Sequence, residues 1–412
     1  MSHLQSKMKS SREDTSTSPK FTGLSTTTTY FVTNQEVGAT PGVNIFNFGQ
    51  RAFAYTAPSG FKALCTQNLP TPTIGATSTT QANDYMNVVL YTGNGSTQSI
   101  TGVGFQPDFS WLKARSSAIS HGLFDAVRGA GKALFSNATN AEFNYGTTTS
   151  GELYQFTSDG FNLGSFGNFN ANGVTYVAWN WKANGAGSSN TAGTITSTVS
   201  ASTTSGFSIV TYTGTGANAT VGHGLGVAPD MVIAKLRSNT SNWPIYHRSL
   251  DAGKVVWLDL TDAQTTSVSY NGAPTSSIIN LGTAGGTNTS SGTHVIYAFA
   301  AVAGYSAFGS YVGNSSADGP FVYLGFRPAY IMVKRFTSTG IWEIIDAKRD
   351  PYNAADKSLR ANASDAEATG VGPIDFLSNG FKLRGTGGNT NDSGTYLYAA
   401  FAENPFKYSL AR

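Results

Sequence analysis

The chain has 412 residues, a formal net charge of +3, 12% charged residues, 47 glycines and one cysteine. That length accommodates about three or four ordinary domains, while weak and scattered charge excludes a nucleic-acid stripe or a polybasic membrane patch. The lone Cys65 excludes an intrachain disulfide and any cysteine-based metal site. No apolar run reaches the length of a membrane span, and residues 1–20 lack the apolar core of a secretory signal. The expectation is synthesis in a cytoplasm without membrane insertion.

Residues 1–40 are rich in Ser and Thr and nearly free of apolar periodicity, which predicts an extended polar arm. From Asn44 the text becomes Asn-Ile-Phe-Asn-Phe-Gly-Gln-Arg51-Ala-Phe-Ala-Tyr55, followed by Pro58-Ser-Gly-Phe61-Lys-Ala-Leu64. This stretch, 41–75, resembles the closing strands of a SPRY domain, a concanavalin-like β-sandwich. The resemblance implies that the earlier strands of the sheet are lost or come from another chain, since an isolated fragment exposes unpaired edges.

One module then occurs three times: unit 1 at 84–183, unit 2 at 206–302 and unit 3 at 307–406. Its signature reads Gly104-Phe-Gln-Pro107-Asp-Phe-Ser-Trp-Leu-Lys113, Gly226-Val-Ala-Pro229-Asp-Met-Val-Ile-Ala-Lys235 and Gly325-Phe-Arg-Pro328-Ala-Tyr-Ile-Met-Val-Lys334. Fourteen residues after the proline stands His121, Trp243 or Trp342, and eighteen after it Asp125, His247 or Asp346, so no copy carries an insertion across this block. Residues 185–205, rich in Gly, Ser, Thr and Ala, read as a linker. Units 2 and 3 have almost none, which predicts that they pack as a rigid pair.

Within a unit, Val88–Tyr91, Phe207–Tyr212 and Phe308–Tyr311 open as strands that run into Gly-containing turns. The run after the proline alternates with period two and is apolar on both faces, as expected of a central, covered strand. Ser158-Asp-Gly160-Phe and Ser378-Asn-Gly380-Phe are turns that enter strands. Only Asp125–Phe135 has room for a helix of two turns. The fold class is therefore all-β: tandem β-sandwich or jelly-roll, concanavalin-like modules behind an extended N-terminal arm.

Chemical motifs are weak. Val127-Arg-Gly-Ala-Gly131-Lys132-Ala133 lacks the first glycine and the Ser or Thr of a phosphate-binding loop. The five histidines are dispersed, so no histidine metal site is expected. Asn389–Gly394 offers oxygen ligands to calcium but lacks a distal acid, and a polar turn is the simpler reading. Neither metal nor cofactor is expected. Asp125 with Arg128, and Asp346 with Arg349, recur at a spacing of three and point to structural ion pairs. Trp243 and Trp342 share one repeat position in a loop-to-strand context, which makes them candidate glycan contacts, whereas the alternation of Trp111, Trp179 and Trp181 places those in a core.

The three-unit pattern, with Tyr91-Thr-Gly-Asn-Gly95, Leu123-Phe-Asp125-Ala-Val-Arg128-Gly and the ending Tyr398-Ala-Ala-Phe-Ala-Glu403-Asn-Pro-Phe406, resembles repeat domains of unknown function in marine-phage structural and tail-fibre-like proteins. The resemblance covers roughly 84–406. It implies a virion component without catalytic residues: a tail-fibre or fibre-like appendage that displays loops to host-surface polysaccharide, assembles with other virion proteins and forms a homotrimer. A capsid decoration or minor capsid protein is the alternative, and a polysaccharide depolymerase the second alternative, since any chain with this many acids contains carboxylate pairs on paper.

Overall fold

The computed structural model describes residues 74–75, 80–387 and 389–403. The polar arm, Cys65 and the SPRY-like stretch apart from Ile74 and Gly75 lie outside the described residues. What is described is nearly all β, its helical content confined to a 3₁₀ turn at Ala82–Asp84 and a single turn at Gly285–Asn288. The stretch Asp125–Phe135 is not a helix: it turns at Ala126–Arg128 and then forms the short strand Lys132–Ala133. Gly129 and Gly131 both sit at positive φ, +92° and +83°, which interrupts helical geometry.

Each unit is a two-sheet sandwich built to one plan. An opening strand (Met86–Thr92, Phe207–Thr213, Ser306–Gly313) pairs with a closing strand (Thr175–Trp181, Thr293–Phe299, Gly394–Ala402). The closing strand pairs in turn with the strand that follows the signature proline (Phe109–Ala114, Met231–Leu236, Pro328–Arg335). A return strand (Gly122–Asp125, Pro244–His247, Trp342–Asp346) continues the same sheet. The proline strand is thus interior in every unit, and its residues are buried on both faces almost throughout. The second, smaller sheet carries the Asp-Gly and Asn-Gly hairpins, Leu153–Thr157 with Gly160–Leu163 and Ile374–Leu377 with Gly380–Leu383. Glycine is required there by close approach, because a Cβ on Gly160 would meet the Ile100 carbonyl and one on Gly380 the Val322 carbonyl.

Residues 185–205 are not a free linker. Ser188–Asn190 and Ser197–Ser202 form two antiparallel strands that pair onto the opening strand of unit 2 and cover its edge. Ser/Thr text reads as linker by composition, yet alternating Ser197, Val199 and Ala201 supply a face that packs, with Val199 buried.

The three large sheets turn their second faces toward one another. Trp181, Phe299 and Phe401, at the same position of the three closing strands, form a triangle of rings with centroids 6.3, 5.6 and 5.9 Å apart. Phe109, Met231 and Tyr330, each two residues after the signature proline, surround that triangle and are 1–2% exposed. Burial of this size favours a fixed arrangement, each fully buried aromatic or Met side chain contributing roughly 1.5–3 kcal/mol. The expected rigid pair of units 2 and 3 is therefore a ring of three, every unit contacting both others about one apolar axis. The three units thus stand in approximate threefold order within one chain.

Candidate functional site

The signature residues meet at the seams between units and obey one cyclic rule. Lys113 of unit 1 donates to the Ser364 carbonyl of unit 3 at 3.1 Å, Lys235 of unit 2 to the Thr139 carbonyl of unit 1 at 2.8 Å, and Lys334 of unit 3 to the Leu260 carbonyl of unit 2 at 3.4 Å. All three side chains are buried, and burial lowers the amines to about 8, 8 and 7. The position fourteen after the proline does the same work. Trp243 Nε1 donates to the Phe135 and Ala138 carbonyls, Trp342 Nε1 to the Trp257 carbonyl at 2.8 Å, and His121 Nε2 contacts the Arg360 carbonyl at 2.9 Å. Trp111 donates to Nδ1 of His121, so the other ring nitrogen carries the proton and donates across the seam.

This placement corrects the reading of Trp243 and Trp342 as glycan contacts. Both are 0% exposed, with the neighbouring lysine ammonium 5.6–5.8 Å from the ring centroid. A ring without an exposed face offers nothing for a sugar to stack on; the preceding Ser and Asn and the following Pro244 mark the edge of a seam rather than a surface loop. Trp111, Trp179 and Trp181 are core residues, as their alternation indicates.

The position eighteen after the proline explains why unit 2 departs from its siblings. Asp125 accepts from the Tyr297 hydroxyl of unit 2 at 2.8 Å, and Asp346 accepts from Trp179 Nε1 of unit 1 at 2.9 Å. Tyr297 and Trp179 are equivalent closing-strand residues. Their counterpart in unit 3 is Ala399, which has no donor, and there His247 Nε2 donates to the Tyr398 carbonyl at 3.2 Å. The ion pairs expected from sequence are present: Arg128 Nε to Asp125 and Arg349 Nε to Asp346, each 2.5 Å and fully buried. Each extends into a four-membered network with a second Glu–Arg pair, Glu142 with Arg237 at the seam of units 1 and 2 and Glu367 with Arg115 at the seam of units 3 and 1. The third seam carries His247, Leu250, Gln264 and Phe336 at those places, aligned by the shared backbone bonds Glu142 N to Arg237 O, Glu367 N to Arg115 O and Gln264 N to Phe336 O. The substitution is complete at these four places, so the loss of the acids at the third seam leaves none of the matching arginines behind.

Among the described residues no cluster of His, Cys, Asp and Glu is arranged to hold a metal ion. Within the Asn389–Gly394 stretch, Asn391 Nδ2 is spent on the Ser316 and Gly385 carbonyls and the Asn314 side chain. No helix among the described residues is long and apolar enough to cross a membrane.

With the repeated positions consumed by assembly, the chemistry left for a ligand lies where one unit differs at its surface. Unit 1 carries such a difference. On the ribbon formed by Lys132–Ala133 and Phe143–Asn144, Phe143 is 42% exposed and lies 6.1 Å from Tyr145, ring to ring, at 17°. Phe135 meets Phe143 edge-on at 5.4 Å, and Phe166, 46% exposed, packs 5.0 Å from Tyr145. The buried Glu152 carboxylate holds the loop that follows Phe166 by accepting from the Asn168 and Phe169 amides, both at 3.2 Å, and burial pushes its pKa up to about 7. The sequence reading missed this ladder because it compared units at their repeated positions; comparing them at unrepeated ones would have exposed it. Unit 3 has a smaller departure of its own, the exposed Phe321 and Tyr323 on the edge strand of its small sheet.

Residues 81–405, about four-fifths of the chain, match the family described as Domain of unknown function (DUF7483). The chain belongs to the DUF7483 family. The matched span takes in all three units, so the family's domain corresponds to the closed ring rather than to one sandwich. No curated protein and no solved structure matches the chain.

Proposed function

We propose that the chain is a non-enzymatic phage virion protein, a tail-fibre or fibre-like appendage that presents the outer surface of a rigid ring to host-surface polysaccharide. The observation that carries the reading is the division of labour between the copies. Buried signature residues are committed to holding the units together, while the aromatic ladder that breaks the repetition stands at the surface, where binding residues need a rigid support. The phage setting rests on the resemblance of the repeat text to marine-phage structural proteins, and the place in the virion is a proposal with it. Gold labelling of intact virions with an antibody to residues 206–406, viewed by electron microscopy, tests it. Label at the tail periphery is the expected result; label over the capsid favours a decoration protein, and unlabelled virions refute the virion reading.

A further inference from the structure

The aromatic ladder of unit 1 has an internal control, because the fold builds the same ribbon in the other two units. Lys254–Val255 pairs with Thr265–Thr266 in unit 2, and Ser358 bridges Ala368 in unit 3, in the register of Ala133 with Phe143. The places of Phe143 and Tyr145 are taken there by Thr265 and Ser267, and by Ala368 and Gly370. The loop residue Phe166 corresponds to Ala284, each amide bonding back across its loop, to Gly151 and Val268 respectively. Both other sandwiches close over their cores without a ring at any of these positions. Three rings in unit 1, two of them more than 40% exposed, are therefore not a requirement of the architecture.

The surroundings give the chemical class. Ribbon alternation puts Lys132 and Asn144 on the face opposite to Phe143 and Tyr145. Glu142, the carboxylate next in sequence, is held by Arg128 at 3.0 Å and Arg237 at 2.8 Å, and Glu152 is buried. What remains exposed beside the rings is neutral and hydroxyl-rich, Thr147, Thr148, Thr149 and Ser150, with the Thr148 and Ser150 hydroxyls 2.9 Å apart. Planar apolar faces next to uncharged donors and acceptors match the amphipathic face of a sugar ring. They match neither an anionic polymer, since the ribbon's Lys132 lies on the face opposite to the rings, nor a wholly apolar partner.

We infer that Phe143, Tyr145 and Phe166 form a stacking platform for a neutral glycan, a site that units 2 and 3 do not have. The inference rests on the reading of the chain as a host-surface binder and names where and what it binds.

The test is affinity gel electrophoresis of the full chain through gels containing dextran, β-glucan or mannan, with alginate as an acidic comparator. The variant Phe143→Thr/Tyr145→Ser/Phe166→Ala transplants the residues that unit 2 already carries, so an unchanged unfolding midpoint is expected and is measured first. The expected result is retardation by at least one neutral polysaccharide, unaffected by added salt and weakened about tenfold or more in the variant. Absence of retardation in every neutral gel, or equal retardation of wild type and variant, overturns the inference. Retardation by alginate alone overturns it while leaving the host-surface reading in place. Loss of neutral-glycan binding in the variant together with unlabelled virions would uphold the platform and refute the virion setting.

Discussion

Removing the Asp125 carboxylate tests whether the seam networks are held as sets. Its two oxygens accept from the Arg128 amide at 2.7 Å, Arg128 Nε at 2.5 Å and the Tyr297 hydroxyl at 2.8 Å, all buried. In Asp125→Ala the Arg128 guanidinium stays at 0% side-chain exposure with Glu142 as its remaining carboxylate, itself shared with Arg237. Breaking one member of a buried ion pair costs about 3–5 kcal/mol, because the partner charge is left uncompensated. Replacing the charged set by the residues of the neutral seam, Asp125→His, Arg128→Leu, Glu142→Gln and Arg237→Phe, together with Tyr297→Phe, which keeps the buried ring that stacks on Phe109, removes all four charges and the Tyr297 donor at once. The set is expected to fall within about 2 kcal/mol of wild type, well short of the sum of its single substitutions. Urea unfolding followed by the fluorescence of the buried tryptophans measures both. A set variant whose loss equals or exceeds the sum of the Asp125→Ala and Arg128→Ala losses would refute the argument that each seam is internally compensated.

The remaining predictions concern single groups. Burial lowers His247 to about 4, so between that value and about 6.5 the unfolded chain binds a proton that the native ring does not; stability falls as pH drops through that window, and the wild type is expected to lose about 3 kcal/mol more than His247→Gln between pH 7 and 4, read from paired denaturation curves. Glu343 is fully buried, its Oε1 accepts from Asn389 at 2.8 Å with Arg360 Nε at 3.7 Å, Oε2 has no hydrogen-bond partner among the described residues, and burial raises it to about 7. Its contribution is present below about 4.5 and lost as pH rises through 7, so Glu343→Gln is expected to be more stable than wild type at pH 8, by about 2–3 kcal/mol, and to lose that advantage at pH 5; an unchanged difference between the two pH values would count against it. Gly380→Ala forces a methyl onto the Val322 carbonyl and is expected to cost more than about 1 kcal/mol, whereas Gly129→Ala meets no neighbouring atom and strains only its φ of +92°, so the first should lower the melting temperature further.

Three sandwiches and their interior proline strands were legible because apolar alternation and turn glycines act locally. The ion pairs were legible too, a spacing of three across one turn being a local property. The ring was not. That Trp243 closes over Phe135, or that His247 answers to Ala399 across a seam, depends on which faces of distant sheets meet, and periodicity within one unit carries no such information. Position eighteen shows the cost of reading units singly: the exchange of Asp for His in unit 2 is matched by the loss of a donor in the neighbouring unit, Ala399 standing where Trp179 and Tyr297 stand. Residues 185–205 failed as a linker for a related reason, since their strands are ordered by the edge they pair with rather than by their own propensity.

Two of the three seams are also crossed by the peptide chain, through residues 184–206 and 300–305, whereas units 3 and 1 meet among the described residues through side chains and backbone bonds alone. Opening at that seam is therefore the departure from the ring that leaves both short chain connections between units in place. An opened ring would present two faces, each shaped to fit the other: Trp179 and Arg115 on one side, Asp346 and Glu367 on the other. Two opened chains at high concentration can satisfy those faces mutually, giving an exchanged dimer with the same contacts as the closed monomer. Weakening this one seam converts an intramolecular latch into an intermolecular one, and concentration rather than sequence then decides which is used.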